Sequence, residues 1–269
     1  MHSKLKHLKE ILGRFESVVI AYSGGADSHF LAKVAHDILG KRVMSLTALS
    51  PSFPSYEKES VRHLVAGLGL PHEFIVTNEL DREEYRANQG NRCYFCKSEL
   101  YEVCWKRAKE LGFEIVLNGT NTDDLQEIRP GLKAAQEWTV RSPLVEAGLS
   151  KKEIRQLSKE LGLETWDKPA LACLSSRFPP GTEVTEERLM RVDRVEQGLI
   201  TLGFRGFRVR FHEPIARIEV DPHDFHRYLN PDVREQVIRL CRENGFHYAA
   251  LDLEGYQVGS VNRVLYQIK

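Results

Sequence analysis

Val18-Val19-Ile20-Ala21-Tyr22-Ser23-Gly24-Gly25-Ala26-Asp27-Ser28 runs from an apolar strand pattern into a glycine-rich turn and on into an amphipathic stretch. A strand feeding such a turn into a helix N-terminus presents unpaired backbone N–H groups at the positive end of the helix dipole. That is a site for an anion, most often phosphate. No lysine follows the glycines, so the turn is not the loop whose Lys reaches the β- and γ-phosphates. Two glycines in a strand–helix turn also serve simply to allow positive φ. The Ser23, Asp27 and Ser28 around them, and the first-strand position, favour the anion. Backbone amides of Gly24, Gly25 and Ala26 would then hold the β/γ phosphates, with the Ser23 and Ser28 hydroxyls donating. Asp27 either binds Mg²⁺ or is a helix-start carboxylate favoured by the dipole.

Further apolar runs follow at Val43–Leu49, Glu73–Val76 and Glu114–Leu117, separated by helical periodicities. Tyr56, Val61, Leu64, Val65 and Leu68 follow one helical face, and Leu100, Val103, Cys104, Ala108 and Leu111 another. This alternation predicts an α/β fold, a parallel sheet with helices on both faces. Ser150 with Glu153 makes a capping box for a helix ending at Gly162. Asp167 to Gly181, with Pro169, Pro179 and Pro180, reads as the loop joining two domains, 1–168 and 169–269. Beyond it the pattern becomes a small α+β unit. A helix over about Thr185–Leu202 precedes a strand alternating Phe207, Val209 and Phe211 with Arg208, Arg210 and His212. Glu213-Pro214 turns into a second strand, Ile215–Val220, and Asn230-Pro231 starts a helix that stops near Gly245. A last strand covers Tyr248–Leu253.

The chain has 269 residues, 42% of them hydrophobic, enough for a substantial core. Charges balance at 38 basic and 38 acidic, which removes the simplest argument for a nucleic-acid partner, though not for a local basic patch. No run of about 18 apolar residues exists, and the basic start lacks an apolar signal core. A cytoplasmic protein without a membrane partner is expected.

Asn118-Gly119-Thr120-Asn121-Thr122-Asp123-Asp124 follows the fourth strand directly, where open α/β sheets bind ligands. Such a turn is also ordinary loop chemistry; Asp124 is the candidate for a second Mg²⁺ or substrate contact. The five cysteines divide in two. Cys104 and Cys241 lie on apolar helical faces, where the thiol acts as a small hydrophobe. Cys93 and Cys96 form a C-x₂-C pair, and Cys173 precedes Leu174-Ser175-Ser176-Arg177. Three thiols are one short of a closed zinc site. A [4Fe–4S] cluster on three cysteines would leave one iron for an outside ligand. A redox pair is the third option. Arg177 would supply positive field to the Cys173 thiolate or hold a substrate phosphate, and Arg208 and Arg210 share a strand face fit for clamping phosphate. The plain alternative for the strand pair is a solvated face, cross-paired to Glu219.

The glycine turn resembles the PP-loop of enzymes that cleave ATP between the α- and β-phosphates. With Arg129-Pro130-Gly131-Leu132-Lys133-Ala134, the Ser-Ser-Arg loop behind Cys173, and Arg208-Val209-Arg210-Phe211-His212, the chain resembles the LarE family over nearly its whole length. The resemblance implies a PP-loop domain with a small C-terminal domain, assembled as a homo-oligomer, usually a hexamer. It implies ATP-dependent sulfur transfer to a pyridinium dicarboxylate mononucleotide in nickel-pincer cofactor synthesis, with inorganic sulfide or a cysteine-derived donor as sulfur source. Ser176, Arg177, Arg208 and Arg210 would meet the substrate phosphate, and Glu196, Glu219 and Asp224 match acidic positions used for a divalent metal. Some members sacrifice a single cysteine. The accompanying Cys93 and Cys96 depart from that pattern and resemble the cluster-dependent, multiple-turnover members. Competing readings are a tRNA thiolation enzyme, an amidating synthetase using ammonia, and a non-enzymatic ATP-binding sulfide carrier.

Overall fold

The computed structural model describes residues 1–126, 130–169 and 172–257. Arg129, one of the residues that carry the resemblance, lies outside them. The chain divides into two compact units. The first comprises Met1–Ser50, Glu57–Glu79 and Asn91–Leu171; the second comprises Pro51–Tyr56, Leu80–Gly90 and Ala172–Lys269.

In the first unit β1 (Val18–Ala21), β2 (Val43–Leu49), β3 (His72–Val76) and β4 (Ile115–Asn118) form a parallel sheet in the order β3-β2-β1-β4. The register sets Ile20 beside Ser45 on one side and Leu117 on the other. Central β1 is an unbroken apolar run because helices cover both its faces, as parallel sheets require; Val18, Val19 and Ile20 are fully buried. Val19, Leu46, Ile75 and Val116 pack with Tyr101, Cys104 and Ala108 of helix Arg92–Leu111 and Ala134 and Ala135 of helix Pro130–Glu137. Helix Ala26–Leu39 buries Phe30, Leu31 and Val34. The α/β architecture is as the sequence predicts, with strand ends displaced by one residue or so.

β1 has β2 on one side and β4 on the other, so the order reverses there, and the loops leaving β1 and β4 leave side by side. Ligands of open α/β sheets bind at such a point.

In the second unit β5 (Arg208–His212) pairs antiparallel with β6 (Ile215–Glu219), and β7 (Tyr248–Leu251) lies parallel to β6. Helices Glu186–Thr201 and Pro231–Glu243 accompany this sheet; the Asn230 side chain accepts from Asp232 N–H at the start of the second. On the polar face of β5 Arg210 is not solvated as alternation suggests: it is 4% exposed and its partner Glu219 is fully buried, whereas His212 is exposed. Among the described residues no helix is long and apolar enough to cross a membrane.

Candidate functional site

The turn after β1 folds as its glycines require. Gly24 takes φ +75°, and a Cβ there would come 2.8 Å from Val61 Cγ2. Gly25 caps helix Ala26–Leu39 with extended backbone. The hydroxyls of Ser23 and Ser28 lie 3.1 Å apart; Ser28 Oγ accepts from Ser23 N–H at 3.2 Å, and Ser23 Oγ accepts from Gly25 N–H at 3.3 Å. The two serines, expected to donate to a ligand, thus also brace the turn from within.

The loop after β4 is pressed against this helix start at Gly119, with no room for a side chain between it and Ser28. Its own bonds hold it rigid. Asn118 Oδ1 accepts from Thr120 N–H and from the Ser142 hydroxyl, Asn121 Oδ1 from Asp123 N–H, and Asp124 Oδ2 from Asn121 N–H. Asp27 and Asp124 are thereby brought close enough for their charges to interact. Burial pushes the Asp27 carboxyl above the ordinary carboxylate range; Lys151 draws it back and the neighbouring charge of Asp124 adds to the rise. Asp27 Oδ2 is ion-paired to the Lys151 ammonium, whereas Oδ1 is buried with no hydrogen-bond partner. Two carboxylates, one with an unsatisfied oxygen, are the hard donor set that Mg²⁺ takes. Asp27 and Asp124 would hold it.

Two lysines of this site carry no mark in the sequence. Lys151 begins helix Lys151–Glu160, whose capping box at Ser150 and Glu153 is present as expected. The Lys168 ammonium donates to Glu57 Oε2 at 2.9 Å, Ser60 Oγ at 2.9 Å and the Gly24 carbonyl at 3.3 Å, fixing the glycine turn from outside.

In the second unit Cys173, half-buried, caps the short 3₁₀ turn Leu174–Arg177. Arg177 is 1% exposed and grips Glu196 through two parallel bonds of 2.9 Å, Nε to Oε1 and Nη2 to Oε2. Its Nη1 donates to the carbonyls of Ala172 and Cys173 at 2.8 and 3.0 Å and to Ser176 Oγ at 3.0 Å. Glu196 also accepts from Tyr56 O–H and Val209 N–H, both at 3.0 Å. Burial opposes ionisation of Glu196, but Arg177 and the Val209 amide outweigh it and hold its carboxyl below the usual range. Arg177 is therefore the clamp that shapes the Cys173 loop. Arg210 does similar work, Nη1 to the Ser176 carbonyl at 2.9 Å and Nη2 to Glu219 at 2.8 Å. Arg208 is half-buried over the Tyr256 ring, 4.8 Å from its centroid. Segments Pro51–Tyr56 and Leu80–Gly90 lace into the same unit: Leu174 N–H donates to the Ser52 carbonyl, the Tyr85 and Ser175 hydroxyls meet at 2.6 Å, and Asn88 Nδ2 donates to the Pro179 carbonyl.

Cys93 is exposed and Cys96 half-buried near the start of helix Arg92–Leu111, three residues apart and so on one face. Lys97 lies within electrostatic reach of both. Cys104 and Cys241 are fully buried, the core thiols expected. Among the described residues no group of three or more His, Cys, Asp or Glu is placed to hold a metal ion. Nor are Glu196, Glu219 and Asp224 gathered into a metal site: Glu196 is bound by Arg177, Glu219 by Arg210 and Arg217, and Asp224 by Arg227.

No family model matches the chain. An uncharacterized protein of Synechocystis sp. is 46% identical over 98% of this chain and 99% of its own length. A tRNA-specific 2-thiouridylase of Rickettsia africae is 26% identical over 83% of this chain and 77% of that protein. A pyridinium-3,5-bisthiocarboxylic acid mononucleotide synthase of Lactiplantibacillus plantarum is 35% identical over 98% of this chain and 95% of its own. With a phosphate-type loop at the reversal point of a parallel sheet, and that identity along almost the whole of both sequences, the chain belongs to the LarE family, enzymes of the PP-loop sulfur transferase type.

Proposed function

We propose that this enzyme uses ATP to adenylate a carboxylate of pyridinium-3,5-dicarboxylate mononucleotide and then replaces one carboxylate oxygen with sulfur, for nickel-pincer cofactor synthesis. The observation that carries the reading is the close approach by which Gly119 seats the Asp124 loop on the Ser23–Ser28 turn. It offers a helix N-terminus to phosphate beside two carboxylates. The synthase name of the relative from L. plantarum supplies the substrate class.

The chemistry needs both halves. A carboxylate at neutral pH is a poor electrophile because delocalised negative charge shields its carbon. Attack of its oxygen on the α-phosphorus expels pyrophosphate and gives an acyl-adenylate; sulfur then attacks the acyl carbon, and AMP leaves with the original oxygen. Mg²⁺ held by Asp27 and Asp124 would neutralise charge on the departing pyrophosphate. The helix start at Gly25 and Ala26 supplies fixed dipoles to the same end. Arg208 is assigned to the substrate phosphate, together with Ser176 of the loop that Arg177 and Arg210 shape.

Cys93, Cys96 and Cys173 are the thiols assigned to sulfur handling, because burial leaves Cys104 and Cys241 with pKa values pushed up to about 12. Three cysteines are also the number that leaves one iron of a [4Fe–4S] cluster open. The finer reading, supported by that count, is multiple turnover on such a cluster in a homo-oligomeric cytoplasmic enzyme. Protein, ATP, Mg²⁺, sulfide and the dicarboxylate mononucleotide are incubated together. AMP, pyrophosphate and a product heavier by one oxygen-to-sulfur exchange are expected. AMP release that ignores the mononucleotide sinks the reading. Anaerobic reconstitution should bind about four irons per chain, and full multiple-turnover activity in Cys93→Ala would dismiss the cluster.

A further inference from the structure

Lys151 stands where a metal would be expected to stand. Its backbone N–H donates to Asp123 Oδ2 at 3.1 Å, the capping box fixes the turn it starts from, and its ammonium is ion-paired to Asp27 Oδ2. Two other cations near the glycine turn hydrogen-bond elsewhere. The Lys168 ammonium is spent on Glu57, Ser60 and the Gly24 carbonyl, and Arg155 donates to the carbonyls of Trp166 and Lys168. Asp27 meanwhile keeps Oδ1 buried without a hydrogen bond, with the like charge of Asp124 nearby.

A buried carboxylate without a counter-charge is costly, and the Lys151 ammonium supplies that counter-charge to Asp27. When a divalent cation coordinates Asp27, the ammonium competes for the same oxygen. We propose that Lys151 is a resident counter-ion, yielding Asp27 to the divalent cation and passing its ammonium to the phosphate chain of the incoming nucleotide. The side chain suits the exchange. It is 30% exposed, and a lysine carries its charge on a flexible four-carbon stem that swings while the helix stays fixed. Metal and nucleotide then help each other in, because each gives the displaced charge a partner. The inference rests on the ATP reading above, and its test separates the two.

Mn²⁺ affinity is measured without nucleotide by electron paramagnetic resonance, and ATP affinity without metal by calorimetry in chelator, for wild type, Lys151→Met and Lys151→Arg. Lys151→Met should bind Mn²⁺ about tenfold more tightly and metal-free ATP about tenfold more weakly, the worth of one charge-assisted bond. Lys151→Arg should keep the ATP affinity and bind Mn²⁺ more weakly than wild type, since the guanidinium fork holds a carboxylate by two bonds. A lysine that merely supports the helix moves both affinities down or neither. Unchanged or weaker Mn²⁺ binding in Lys151→Met, or unchanged metal-free ATP binding, overturns the exchange. If Lys151→Met does not fold, equal Mn²⁺ binding by Lys151→Arg and wild type overturns it instead. Wild type that binds no nucleotide at all overturns the ATP reading; wild type that binds it, with Lys151→Met indistinguishable, overturns the exchange and leaves that reading standing.

Discussion

Gly119 lies against the backbone of Ser28: a Cβ on the glycine would sit 2.9 Å from the Ser28 nitrogen and 3.0 Å from its Cα. The obstruction is main chain, so no side chain can swing aside to relieve it. Gly119→Ala should push the Asp124 loop off the helix start, costing about 1–3 kcal/mol by the overpacking scale and weakening ATP binding. Gly67 ends helix Glu57–Gly67 with nothing within 4 Å of where its Cβ would go. Gly67→Ala is the control, expected to be neutral or to stabilise by up to about 1 kcal/mol. Urea midpoints and ATP titrations of the two variants check both. Equal behaviour would refute the close approach.

Arg177 and Glu196 form a buried pair whose loss should be felt in the loop of Cys173. Glu196→Gln leaves a buried guanidinium with a neutral partner, and removing one member of such a pair costs about 3–5 kcal/mol. Arg177→Lys is not conservative here. One ammonium cannot reproduce the paired bonds to Glu196 while also holding the carbonyls of Ala172 and Cys173. The double replacement Arg177→Met with Glu196→Leu should destabilise less than the sum of the single changes, since it strands no charge. A double-mutant cycle by urea denaturation measures this, and additivity within about 0.5 kcal/mol would contradict it.

Local signals carried much of the fold. Val18–Ala21 reads as a buried parallel strand because it is apolar on every residue, and the Ser150–Glu153 box marks its helix by side-chain chemistry. What stayed hidden was long-range. Pro51–Tyr56 and Leu80–Gly90 pack with the second unit, yet nothing in their composition sets them apart from their flanks. Lys151 and Lys168 look like surface lysines until tertiary contacts deliver Asp27 to one and Glu57 to the other. Arg177 and Arg210 were equally hard to read: arginines in this pattern suggest phosphate, whereas the fold buries each against a carboxylate of the protein.

Burial pushes the imidazoles of His29 and His72 down to about 4, and the Lys168 charge adds to the effect at His29. Neutral His29 shares a hydrogen bond of 2.8 Å between its Nδ1 and the Tyr22 hydroxyl. The folded protein holds both rings neutral while the unfolded chain protonates them near the ordinary value of about 6.5. Their contribution to stability is therefore complete above about pH 6.5 and lost as pH falls toward 4. The urea midpoint should drop between pH 7 and pH 4.5, and His29→Gln with His72→Gln should flatten that slope. Parallel curves for variant and wild type would assign the acid sensitivity to other groups.

The cysteines give the sharpest division, because thiolate, not thiol, is the reactive form. Cys104 and Cys241 are fully buried, and at about pKa 12 only about one thiol in a hundred thousand is ionised at pH 7. Cys93 is exposed and Cys96 half-buried near the start of helix Arg92–Leu111, with Lys97 within reach of both. Cys173 is half-buried at the start of its turn. Iodoacetamide should therefore modify Cys93, Cys96 and Cys173 in the native protein and reach Cys104 and Cys241 when urea is added, as peptide mapping would show. The functional counterpart uses the same residues. Ala at Cys93, Cys96 or Cys173 should abolish sulfur incorporation while mononucleotide-dependent AMP release persists, because the proposed adenylation uses the glycine turn with Asp27 and Asp124 and no thiol. Cys241→Ala should leave both steps in place at the cost of a small core cavity. A variant at Cys173 that still makes thiocarboxylate at the wild-type rate would take that residue out of the sulfur path, whatever its labelling.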